Sequence, residues 1–217
     1  MKVSEAVAAR RTIRAFLDKP VSDDTIRSLL EKAARAPSGG NVQPWRIYVI
    51  NGETMVRFKA HVLTQTEPEP AAYDIYPKDL KEPYRSYRFK VGEDMYGLLD
   101  IPRDDRAARI RRLMENYQFF GAPASIFCFV DRQMGPPQWS DLGMFLQTFM
   151  LLAQEEGLDT CAQEAWSSKP ITLGNFVGAP EELMIFCGVA IGYQDPEAPI
   201  NSLIADRESV DNFATFL

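Results

Sequence analysis

Ten residues lying between a helical pattern and a strand pattern, Ala36-Pro37-Ser38-Gly39-Gly40-Asn41-Val42-Gln43-Pro44-Trp45, constrain this chain more than any other stretch. Two adjacent glycines permit positive φ at no steric cost and let backbone N–H groups lie close to a flat ligand. Ser38, Asn41 and Gln43 add side-chain donors and acceptors suited to a heteroatom-rich ring. A connection that only reverses the chain does not need so many hydrogen-bonding groups. Taken alone, the segment is also compatible with a plain solvated loop.

A second segment narrows the choice. Arg10-Arg11-Thr12-Ile13-Arg14 follows the amphipathic run Val3 to Ala9 and sets three guanidiniums around a hydroxyl. The guanidinium fork binds oxyanions bidentately and stays charged at any working pH, which suits a phosphate. A solvated basic turn would carry the same residues.

With 217 residues, the chain can form one domain with a substantial core, or one subunit of an intertwined dimer. Its 46% hydrophobic and 25% charged residues are ordinary for a globular protein. No apolar run is long enough to cross a bilayer, and none is placed as a signal peptide. The formal charge of −6 argues against nucleic acid as the main partner. The basic patches, at Arg10 to Arg14 and Arg106 to Arg112, are too short to reverse that. Cys128, Cys161 and Cys187 lie far apart, two of them in apolar runs. They read as buried thiols in a reducing cytosol, with neither a disulfide framework nor a zinc site. His61 is the single histidine, so Ser-His-Asp and Cys-His catalysis would both have to run through it; it falls on a surface-helix pattern, and His-based metal sites are disfavoured for the same reason. The chain has no Gly-x-Gly-x-x-Gly and no Walker loop.

Residues 22 to 36 give the clearest helix: Ser22 as N-cap, Asp23 and Asp24 in the first turn, Ile26, Leu29, Leu30 and Ala33 on one face, and Pro37 as the stop. Trp45 to Ile50 is a β-branched and aromatic strand, turned by Asn51-Gly52, and residues 53 to 63 return to helix. Residues 64 to 105 are rich in Pro, Tyr and charge with weak periodicity. They read as a partly helical lid, or as an excursion packed on a partner subunit. Pro102 is expected to open a helix over 103 to 118 with Ile110, Leu113, Met114 and Tyr117 inward. Ala124 to Val130 reads as a buried strand, and Leu183 to Ile191 as another. Ser140 to Glu156, closed by Gly157, is an apolar core or dimer helix through Leu142, Phe145, Leu146, Phe149 and Leu152. From Asp195 onward the chain suits an arm laid across a partner. About four strands among six or so helices predict an α+β fold, one domain over 1–217, with a central sheet flanked by helices.

The ordered set Arg-Arg-Thr-x-Arg-x-Phe, then Ala-Pro-Ser-Gly-Gly-Asn-x-Gln-Pro-Trp one helix later, then Asp159-Thr160-Cys161-Ala162-Gln163-Glu164 and a late Arg207, resembles the FMN-dependent nitroreductases. The resemblance spans essentially the whole chain, with residues 64 to 105 its least secure part. It implies a mixed or antiparallel sheet in an interlocked homodimer with flavin sites at the subunit interface. It implies FMN as the carrier, with no catalytic side chain and no metal: NAD(P)H gives hydride to N5, leaves, and a nitroaromatic or quinone follows in ping-pong fashion. By the same resemblance Arg10 and Arg207, supported by Arg11 and Thr12, take the phosphate. Arg14 lies near the N1/O2 edge of the ring, where charge develops on reduction. Thr12 stands where the family more often has Ser and keeps the hydroxyl. Pro37, Ser38, Gly39, Asn41 and Gln43 approach from the other subunit, and Ala162, Gln163 and Glu164 lie along the ring.

Composition alone offers Tyr84, Arg85 and Arg88, with Tyr87 and Lys90, as the wall of an aromatic substrate pocket. Other readings are a reductive dehalogenase of the same flavin fold, a flavin-free scaffold that keeps the dimer, and an anion-binding regulatory module. The location expected is cytoplasmic, and the partners expected are a small aromatic acceptor and a second copy of the chain.

Overall fold

The computed structural model describes all 217 residues, as eight α-helices, four strands and short 3-10 turns. The helices are α1 Val3–Ala9, α2 Asp23–Ala33, α3 Gly52–Thr64, α4 Tyr84–Leu98, α5 Arg106–Met114, α6 Pro136–Glu155, α7 Pro170–Val177 and α8 Val210–Phe213. The strands are β1 Arg46–Asn51, β2 Ala124–Asp131, β3 Asp159–Gln163 and β4 Leu183–Gly192. They form one sheet of order β1-β2-β4-β3. Every strand pairing in it is antiparallel. The mixed alternative is therefore not realised within the chain, where one isolated bridge, Thr12 to Thr160, runs parallel. No helix is long and apolar enough to cross a membrane.

Alternation along β2 creates three layers. Ile126, Cys128 and Val130 face α2 and α6, meeting Ile26, Leu29 and Ala33 from one and Leu142, Phe145 and Phe149 from the other. Phe127 and Phe129 face the opposite side, where Phe58 of α3, Phe119 and the fully buried Trp166 pack together. Cys128 pairs with Cys187 and Phe129 with Ile185, so Phe186 is an extra residue in β4. This bulge turns Ile185 to the α3 side and leaves Cys187 on the α6 side.

The local chemistry of the helix ends agrees with the residues there. Ser22 Oγ accepts from the Thr25 N–H at 3.0 Å and starts α2. Asn51 ends β1, and its side chain accepts from the Gly52 N–H, so α3 begins without a separate turn. Gly157 takes a φ of +73° just beyond α6.

Two expectations are corrected. The helix expected from Pro102 starts at Arg106, because the Asp105 side chain accepts from the Ala108 N–H at 2.9 Å and caps it there. Its Ile110, Leu113 and Met114 are exposed rather than inward, at 60%, 57% and 49%. Helical spacing defines a stripe but not the side that the core lies on. In addition, α6 begins earlier than expected, at Pro136, where prolines fill its first positions.

Candidate active site

The N-terminal segment after α1 runs beside the end of the chain. Ile13, 1% exposed, anchors it in the core, and its N–H donates to the Thr160 carbonyl at 3.0 Å. The Asp195 N–H donates to the Ala15 carbonyl at 3.0 Å, and the Leu17 N–H to that of Tyr193 at 2.9 Å. Buried Asn201 locks the two together: its Oδ1 accepts from the Arg14 N–H at 2.9 Å, and its Nδ2 donates to the carbonyls of Ala15 and Asp195.

This stitching brings Arg10, Arg11, Thr12, Arg14 and Arg207 to the wall of one cavity of about 660 Å³, with Val91 of α4 and Gln147 of α6. Four guanidiniums and one hydroxyl thus converge from opposite ends of the chain. No carboxylate lies within 4.0 Å of any of the four, since every ion pair of the molecule lies elsewhere. The Arg207 guanidinium donates only to the Ala205 and Asp206 carbonyls beside it. Burial, and then the neighbouring Arg207 charge, push the pKa of Arg10 down. Cations gathered without acids make a site for an anion.

The glycine-rich loop lies apart from this cavity in the same protomer. Gly40, Asn41 and Gln43 all have positive φ, at 57°, 57° and 50°. The strained loop is held by the Gln43 N–H donating to Ser38 Oγ at 3.0 Å and the Gly39 N–H donating to Asp141 Oδ2 at 3.2 Å. Pro37, Gly39, Asn41 and Gln43 are exposed and Ser38 is half-buried, so the loop presents an ordered set of donors outward.

At the end of β3, Ala162 is exposed while Gln163 is 1% exposed. Gln163 Nε2 donates to the Asn116 carbonyl at 2.6 Å, and its Oε1 is buried with no partner. Glu164 follows on the surface, where desolvation by neighbouring groups raises its carboxyl pKa. Nearby, the Tyr73 hydroxyl donates to the Phe186 carbonyl at the bulge, and Trp139 packs edge-on against both Tyr73 and Phe186.

A second cavity of about 440 Å³ adjoins the first and shares Val91, Ala205 and Arg207 with it. Tyr84, Tyr87 and Lys90 of α4 line it. Arg85 and Arg88 line neither cavity. Arg85 pairs with Glu82 at 2.6 Å, and Arg88 stacks 4.0 Å over the Tyr76 ring. The chain joins Arg10, Arg11, Thr12, Arg14 and Arg207, and puts Tyr84 next to them. It does not bring the 37–43 loop into that cavity.

Sequence reading missed three residues: Asp141, which fixes the glycine loop, Asn201, which fixes Arg14, and Arg112, whose Nη2 donates to the Arg14 carbonyl at 2.9 Å. Only Arg112 carried a signal, its place in a basic run, and that run reads as a solvated patch.

Comparison with known proteins finds relatives along nearly the whole chain. The model of the "Nitroreductase family" matches residues 7–193. A 4-nitrobenzoate reductase from Pseudomonas putida is 37% identical over 212 residues, covering 97% of this chain and 93% of that protein. A nitrobenzene nitroreductase from Ectopseudomonas oleovorans is 34% identical over 223 residues, covering 99% and 96%. Among solved structures, the FMN and NADPH-dependent nitroreductase NfnB from sphigopyxis sp. strain HMH superposes with a TM-score of 0.95. It is 43% identical, with 100% of this chain and 99% of that one covered.

Proposed function

The chain belongs to the nitroreductase family, and from that premise we propose that it is an FMN-dependent oxidoreductase that uses NAD(P)H to reduce nitroaromatic compounds. The observation that carries this reading is the cavity between the two chain ends, where Arg10 and Arg207 stand together with no carboxylate within 4.0 Å of either. That donor set suits the phosphate and ring of a flavin mononucleotide: guanidinium forks for the dianion, a threonine hydroxyl beside them, and a further cation for the ring. When bound, FMN supplies the two-electron carrier that no side chain can be.

Arg10 and Arg207, with Arg11 and Thr12, hold the phosphate. Arg14, fixed through its backbone, sets a positive charge at the pyrimidine edge. Ala162, Gln163 and Glu164 align the ring from β3, with the buried Gln163 side chain holding the strand end in place. Pro37, Ser38, Gly39, Asn41 and Gln43 reach the ring of the partner subunit in a homodimer, which accounts for an ordered, exposed loop that does not line its own chain's cavity. Donor and acceptor use the same open face in turn, a ping-pong scheme that also admits quinones. A nitro group takes electrons in pairs to nitroso and then hydroxylamine, and water can supply the protons.

Tyr84 shapes the acceptor pocket. Residues 64–105 form a lid tied down at its start and through α4: Lys169 Nζ donates to the Gln65 carbonyl at 2.7 Å, and Lys90 pairs with Asp206 at 2.9 Å. Residues 195–217 act as an arm across the partner, since Phe213 and Phe216 are 66% and 86% exposed in the single chain. Three buried free cysteines suit a reducing cytoplasm.

The test is steady-state oxidation of NADH and NADPH by the FMN-loaded protein with 4-nitrobenzoate, nitrobenzene and a quinone. Acceptor-dependent oxidation with parallel double-reciprocal plots supports the reading. No oxidation of either nicotinamide with any acceptor contradicts it.

A further inference from the structure

Arg112 lies in a basic run, but the structure sets it apart from its neighbours. Arg106 and Arg111 are exposed, and Arg109 pairs with Glu93 at 2.6 Å. Arg112 turns inward. Its Nη2 donates to the Arg14 carbonyl at 2.9 Å, its guanidinium lies 4.9 Å over the Phe120 ring, and its Nε is buried with no partner. No carboxylate comes within 4.0 Å of it.

The Arg14 N–H is taken by Asn201 Oδ1, so both backbone groups of Arg14 are held by side chains from distant parts of the chain. Asn201 is neutral and is satisfied by neighbouring carbonyls. Arg112 carries a charge into protein beside another charge. Burial lowers its pKa, Glu115 opposes this, and Arg14 adds to it. A neutral donor would hold a carbonyl as well, without the desolvation cost of a cation. The charge therefore needs a reason beyond anchoring, and a fixed positive field aimed at developing negative charge is one.

We propose that Arg112 is a positioning residue for flavin reduction: it fixes Arg14 and adds a second positive charge behind it, so that the flavin is more readily reduced. This rests on the flavin reading above. Arg112 itself touches neither cavity wall. It acts through Arg14 and through space.

The test measures the flavin's two-electron midpoint potential in wild type, Arg112→Gln and Arg112→Lys by equilibration with a reference dye. Arg112→Gln keeps a donor for the Arg14 carbonyl and loses the charge, whereas Arg112→Lys keeps the charge. The expected result in Arg112→Gln is an about tenfold lower ratio of reduced to oxidised flavin at a fixed poise, the order of effect that one partly screened charge exerts at an effective dielectric of about 20. For a two-electron couple that tenfold is about 30 mV. Arg112→Lys stays within about threefold of wild type, and the dissociation constant for oxidised FMN changes by less than about threefold in both.

A ratio in Arg112→Gln equal to wild type overturns the proposal, as does an equal fall in both variants. If Arg112→Gln does not fold, Glu115→Gln decides: removing that exposed anion must raise the ratio, and an unchanged ratio overturns the proposal. Wild-type protein that binds no FMN overturns the redox reading together with this one. Flavin-loaded variants with unaltered potentials overturn this one alone.

Discussion

A Cβ placed on Gly188 would stand 2.5 Å from Trp166 Cδ1 and 3.1 Å from Phe127 Cε1. Both rings are fully buried and packed against Phe58 and Phe119, so neither can withdraw. Gly188→Ala should therefore lower the stability of the flavin-free protein by about 1–3 kcal/mol, read as a shift in the urea midpoint. An unchanged midpoint would contradict the packing described. Asp159 offers a test by pH. Burial holds its carboxyl above the ordinary value of 3.8, against the Gln194 N–H bond and the Arg11 charge. A carboxyl with a raised folded pKa favours the folded state most below the unfolded value, and that contribution is lost as pH rises through the folded value. Asp159→Asn keeps an acceptor for Gln194 and removes the charge. The variant should be more stable than wild type at pH 7, with the difference closing below about pH 4. A gap that grows on acidification would reverse the assignment.

Among the elements, α7 depends on a residue far away in sequence. Glu69 accepts from the Ile171 N–H at 2.7 Å and the Thr172 N–H at 3.1 Å, and also takes the Thr172 hydroxyl. A carboxylate there satisfies orphan donors of the first turn and complements the helix dipole. Glu69→Ala should cost about 1–2 kcal/mol and speed amide exchange in residues 65–72 together with the start of α7. Exchange that rises in only one of the two segments would show that they are not coupled. Such a clasp could not be read from the sequence, because its partners are 102 and 103 residues apart. Elements set by local chemistry were legible: α2 from its Ser22 cap and apolar spacing, β2 and β4 from their apolar runs. The outward stripe of α5 was not, because its orientation depends on the Asp105 cap and the layer above it. The site divides in the same way. Arg10 to Arg14 and the glycine loop stand out locally. Their meeting with Arg207 followed from resemblance, and the supports at Asn201, Arg112 and Asp141 act across 187, 98 and 102 residues.

For the whole molecule, a formal charge of −6 coexists with four arginines around one cavity. The positive potential is local, which suits a small anion better than a polyanion. Assembly is the second question at this scale. Deleting residues 209–217 removes the exposed Phe213 and Phe216 and leaves Arg207 in place. The proposed arm then predicts weaker self-association by sedimentation velocity, and with it lower FMN occupancy, since the 37–43 loop needs the partner. Full occupancy in a truncated monomer would exclude a shared site. The claim beneath all of this is that the two ends of the chain grip a phosphate. The most direct measurement is a fluorescence titration of flavin-free protein with FMN and with riboflavin, repeated in Arg10→Ala/Arg207→Ala. Two charge-assisted contacts predict FMN binding about 100-fold or more tighter than riboflavin in the wild type, with most of that gap lost in the double variant. Equal affinities in the wild type, or a gap that survives both substitutions, would contradict the account.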